Sequence, residues 1–110
     1  MLKQEIRFDE EKIKEKGLHK LDRIMEILDK AFLQYGFRKD VYDDGTICYL
    51  GNNHKDDFAH FGGLIMTLEE KEWFMPYLDK WLWYNSNGQL DENCYRVEDI
   101  LYFYTKHRSA

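Results

Sequence analysis

Proline occurs once in this chain, at Pro76, and cysteine only twice, at Cys48 and Cys94. Small secreted domains that depend on disulfides carry about four cysteines or more, so a disulfide framework is excluded. A single Cys48–Cys94 bridge is the less expected state, because unpatterned cysteines in a chain without a signal are usually reduced. No apolar run is longer than a few residues, so no segment reads as a membrane-spanning helix. The opening residues, Met-Leu-Lys-Gln-Glu-Ile-Arg-Phe, lack the apolar centre of a secretory signal. The cytoplasm is therefore the expected compartment.

Basic charge is also scarce. Lys and Arg number 16 against 21 Asp and Glu, for a net charge of −5. The deficit is uneven: residues 1–40 hold 10 basic and 9 acidic side chains, whereas residues 41–110 hold 6 and 12. An acidic surface repels phosphate, which argues against direct nucleic-acid binding. The acidic part also contains 14 of the 18 aromatic residues, a mixture suited to a basic protein partner.

Catalytic patterns are missing as well. Gly62-Gly63 has neither a phosphate-loop lysine nor the G-x-G-x-x-G spacing. Ser86 and Ser109 lack a nucleophile-elbow pattern, and neither cysteine stands beside a base in sequence. The acidic pairs Asp43-Asp44, Asp56-Asp57 and Asp91-Glu92 do not follow a calcium-loop pattern and read as solvated turns. No cofactor is implied.

What is present fits one domain spanning residues 1–110, without repeats or linkers. Residues 2–8 alternate apolar and polar, as in a short strand or extended arm, and Asp9 is a candidate N-cap. Ile13, Gly17, Leu21, Ile24, Leu28, Ala31 and Tyr35 recur at helical spacing, with Gly17 a possible break and Gly36 a natural stop. Val41-Tyr42 and Ile47 to Leu50 flank Asp43-Asp44-Gly45-Thr46, a strong hairpin signal. Phe58 to Met66 reads as a third strand with a bulge at Gly62-Gly63. Thr67-Leu68-Glu69-Glu70 matches a capping box for a helix running to about Tyr84, kinked or broken at Pro76. A last helix opens at Arg96 or Val97. The expected class is α+β: an N-terminal amphipathic helix, a three-stranded antiparallel meander, and two to three C-terminal helices.

Two segments carry candidate functional residues. On an ideal helix, Phe74, Leu78, Trp81 and Leu82 make a core face, while Glu69, Glu72, Asp79 and Lys80 lie opposite with Trp83 among them and Tyr84 on the flank. Exposed Trp and Tyr beside acids are the composition of a binding hot spot, so Glu69, Glu72, Asp79, Trp83 and Tyr84 form the expected partner surface. His54, Asp56, Asp57 and His60 are the one cluster with metal-ligand chemistry, although their spacing follows no zinc motif. The expected function is a non-enzymatic inhibitor or immunity-type protein that covers a basic protein partner, as a monomer or homodimer. The alternatives are a small metal-binding enzyme centred on residues 54–60 and a homo-oligomeric structural subunit.

Overall fold

The alternation at the N-terminus becomes the middle of a sheet. The computed structural model describes residues 2–16, 21–85 and 96–109. In chain order these form β1 (Lys3–Phe8), α1 (Glu10–Lys16), α2 (Leu21–Leu33), β2 (Arg38–Val41), β3 (Ile47–Leu50) and α3 (Asp57–Glu69). A 3-10 turn (Met75–Tyr77), β4 (Leu78–Asn85), β5 (Arg96–Asp99) and α4 (Ile100–Ser109) follow. The sheet is antiparallel with order β2-β3-β1-β4-β5. The expected α+β class holds, but its layout does not. Instead of a meander of consecutive strands, β1 lies between β3 and β4, and its partners are about 45 to 80 residues away.

Several local signals act as the sequence suggests. Asp9 Oδ1 accepts the backbone N–H of Glu11 at 3.1 Å and Lys12 at 3.3 Å, which caps α1. Ile24, Leu28 and Phe32 make the buried stripe of α2. Gly36 follows that helix at φ +80°, and Gly45 turns the β2–β3 hairpin at φ +87°, conformations that side-chain-bearing residues resist. Gly17 and Cys94, which carried expectations above, lie outside the described residues.

The larger departures lie in residues 57–99. Phe58 to Met66 is not a third strand but the body of α3, and Gly62-Gly63 is inside a helix rather than at a bulge. Phe61, Leu64 and Leu68 are buried at steps of three and four, so helical period decides the segment. Thr67 does not cap a following helix; it sits in the last turn of α3 and donates its hydroxyl to Gly63 O at 2.9 Å. The helix expected through Tyr84 is replaced by the 3-10 turn holding Pro76 and by β4. Pro76 suits the start of that turn, where its missing N–H costs nothing. The last helix begins at Ile100, after residues 96–99 have completed β5.

Helices α2, α3 and α4 cover one face of the sheet. Register puts Gln4, Ile6, Ile47, Tyr49, Trp81 and Trp83 on that face, where they are buried. Tyr49 stacks on Phe32 of α2 at 4.1 Å, Trp83 meets Phe61 of α3 at 5.1 Å, and Trp81 stacks with Tyr104 of α4 at 6.1 Å. Trp81 also donates its indole N–H to Gln4 Oε1 at 2.9 Å, which satisfies its one polar group.

Candidate functional site

Helix α3 is apolar nearly all round, yet only one side of it is covered. Asp57, Phe61, Leu64 and Leu68 face the core. On the other side Phe58 is 54% exposed and Met66 is 68% exposed. Solvent-facing helix surfaces normally carry charge, but from Asp57 to Leu68 the helix has no lysine, arginine or glutamate. Gly62 and Gly63 occupy its middle, and a Cβ built on either would meet nothing within 4 Å.

Helix α4 adds to this surface. Asp99 Oδ1 accepts the N–H of Tyr102 at 3.0 Å, so the end of β5 caps the helix that follows without an intervening loop. Ile100 turns inward, while Tyr102 and Phe103 remain 59% and 55% exposed. Between the two helices runs a groove of about 640 Å³, walled by Ile65, Ile100, Phe103 and Tyr104, with Glu98 and Asp99 at its lining. Its floor is Trp83, which is only 5% exposed and held by Phe61 and Phe58. An apolar concavity with a few carboxylates at its edge is a binding geometry.

The opposite face of the sheet is polar and bonded within itself. Glu5 is buried there, 3.3 Å from Lys80 Nζ and 3.9 Å from Lys3 Nζ, and it accepts the Tyr84 hydroxyl at 3.3 Å. Lys3 Nζ lies 4.5 Å over the Tyr84 ring. Arg7 bridges Asp79 at 2.7 Å and Asp44 at 3.0 Å, and its pKa is raised by the bond to Asp79. Hydrogen bonds from Thr46 lower that of Asp44. Cys48 is buried in this layer as a free thiol, and burial pushes its pKa up, which keeps it protonated at neutral pH.

The expected site residues disperse across these surfaces. Trp83 is not exposed among acids on a helix; it lies on the covered face of β4 as the groove floor. Tyr84 points to the opposite face and bonds Glu5, while Asp79 is held by Arg7. Glu69 ends α3 four residues after Ile65, and Glu72 is exposed in the turn that follows. The five therefore do not share one helix face. Phe58, Ile65 and Met66 were missed. The spacing of Phe58, Ile65 and Met66 on a helix without cations was the available signal.

The histidine cluster is also divided. His54 and Asp56 are in an exposed loop, where His54 Nδ1 accepts the N–H of Asp56 at 3.2 Å. Asp57 Oδ2 accepts the N–H of Asn52 at 2.7 Å and of His54 at 3.2 Å, tying the loop to the start of α3. A Cβ on Gly51 would lie 2.6 Å from that oxygen, so a side chain there would push the Asp57 carboxylate out of these bonds. His60 stacks on Tyr35 at 4.0 Å, on the side of α3 nearest α2. Among the described residues, no three His, Cys, Asp or Glu side chains are placed to hold a metal ion, and no helix is long and apolar enough to cross a membrane. No family model, curated protein or solved structure matches this chain, so a functional reading rests on the geometry above.

Proposed function

We propose that this chain is a non-enzymatic protein-interaction domain that binds and blocks a basic protein partner, without a cofactor. The α3–α4 face carries the reading. Tyr102 and Phe103 stand exposed at the groove over Trp83, with Glu98 and Asp99 in its lining, and Phe58 and Met66 are exposed on α3. Buried aromatic anchors supply most of the affinity in such interfaces, while peripheral charge steers encounter and selects the sign of the partner. Glu69 and Glu72 lie at and beyond the end of α3, with Lys71 between them, and do not line the groove. Trp83 contributes as the floor beneath the anchor rather than as the anchor itself. Asp79 and Tyr84 serve the opposite face of the sheet and fall outside the proposed surface.

A pull-down from native lysate tests this, run with wild type and with a folded Met66→Ser, Phe103→Ser double variant. Support requires one basic protein that wild type retains and the variant loses, and whose own activity falls when wild type is added. A partner held equally by both rejects this face. A sedimentation mass of twice the chain, lost in the variant, assigns the face to a homodimeric subunit instead.

A further inference from the structure

We propose that Met66 is an oxidation switch on the outer side of α3: a peroxide converts its thioether to the sulfoxide ahead of Met25 and Met75, which makes this surface polar while the fold is retained. The proposal goes beyond the partner reading, because the chemistry needs only the free chain. Met66 is 68% exposed, whereas Met75 is 6% exposed in the 3-10 turn and Met25 of α2 is half-buried against the core. Helix geometry accounts for the difference. Side chains on a helix lean toward its N-terminus, over the residues three and four back. For Met66 those are Gly63 and Gly62, which have no side chain, and a Cβ built on either would meet nothing within 4 Å. The thioether therefore stands over bare backbone, open to a small oxidant.

The step balances with the oxidant alone. A sulfur lone pair attacks one oxygen of hydrogen peroxide and the O–O bond breaks. The hydroxide that leaves takes the proton of the transferred oxygen and departs as water. Sulfur is oxidised by two electrons and the peroxide is reduced by two. Cys48 does not compete, because it is fully buried and burial holds it as the thiol rather than the reactive thiolate. The product is a polar, chiral group where an apolar one stood. Because Met66 is mostly in water already, the added oxygen is solvated without displacing a core contact. Sulfoxide reductases reverse this reaction, so the apolar surface can be restored.

The experiment treats the full chain with dilute hydrogen peroxide and follows each methionine by peptide mass spectrometry. Met66 is expected to gain oxygen at least about tenfold faster than Met75, and ahead of Met25. Gly63→Leu sets a side chain beneath the thioether and is expected to slow Met66 at least about twofold. On a hydrophobic-interaction column, treated wild type should elute earlier than untreated protein and still melt cooperatively, while treated Met66→Leu keeps its retention. Met25 or Met75 oxidising as fast as Met66 overturns the assignment. A rate unmoved by Gly63→Leu overturns the part given to the glycines. Unchanged retention of oxidised wild type, or an equal shift in Met66→Leu, overturns the change in polarity, and a lost melting transition overturns retention of the fold. None of these readouts involves a partner, so they hold or fail apart from the reading above.

Discussion

On the sheet face turned away from the helices, buried Glu5 is paired with Lys80 and Lys3, and Arg7 with Asp79 and Asp44. On the α3–α4 side, Phe58 and Met66 of α3 are exposed, as are Tyr102 and Phe103 in the lining of a groove. Both surfaces face solvent, but one is laid with ion pairs while the other keeps large apolar side chains exposed. A self-satisfied polar layer suppresses further association, because any partner must first displace bonds already made. An uncovered apolar surface gains free energy from any matching cover. The difference separates residues that hold the fold from residues left over for another molecule. It predicts that substitutions on the two faces report through different measurements.

The largest effect belongs to a residue beneath both surfaces. Trp81 packs edge-on against Phe74 at 4.9 Å, stacks with Tyr104 and donates to Gln4. Trp81→Ala is expected to cost about 3–5 kcal/mol in urea denaturation and to loosen α4 with it. Glu5→Ala tests the polar face. Removing one partner of a fully buried ion pair costs about 3–5 kcal/mol, but Lys80 and Lys3 keep roughly a quarter of their side-chain surface exposed and can resolvate. About 1–2 kcal/mol is expected, with partner binding at the α3–α4 face unchanged.

Alkaline pH provides a third test, within the covered core. Burial, and then the bond from its hydroxyl to Asp29 Oδ1 at 2.8 Å, push the pKa of Tyr49 well above its ordinary value. Unfolded tyrosine titrates near about pH 10. Above that pH the folded chain keeps a proton that the unfolded chain loses, so stability is fully present below about pH 10 and declines as pH rises further. Tyr49→Phe should flatten this decline in denaturation curves taken from pH 8 to 11. An unchanged slope would mean that Tyr49 is not the residue responsible.

The parts legible in the sequence are those set by local chemistry. Asp9, Gly36 and the Asp-Gly turn each act within a few residues, and their roles hold. The exchange of helix and strand across residues 57–85 has a different origin. In β4, Trp81 and Trp83 face the core, while Leu82 and Tyr84 on the other face are themselves half-buried. Alternation is therefore masked by apolar residues on both sides, and Phe74, Leu78, Trp81 and Leu82 also fit helical spacing. The candidate surface moved with that exchange. Glu69, Glu72, Asp79, Trp83 and Tyr84 converge only if residues 69–84 are one helix, and pairing of β4 with β1, far away in sequence, decides otherwise.

Gly62→Ala and Gly63→Ala reverse the usual sign. Alanine is a better helix former, so each is expected to raise stability by about 0.5–1 kcal/mol, while the added methyl enters open space on α3 and weakens partner binding at the α3–α4 face. A gain in stability without any change in binding would confine the glycines to the folded chain alone. The smallest effect on stability is expected from the most exposed side chains. Met66→Ser and Phe103→Ser uncover little that is not already in water, so each should stay within about 0.5 kcal/mol of wild type in denaturation. Their effect on partner binding should be among the largest measured. If both instead unfold the chain, these side chains support the fold, and the α3–α4 surface is as complete as the sheet face opposite. If both leave stability and binding unchanged, the exposed apolar area is inert, and the two faces differ in composition without differing in role.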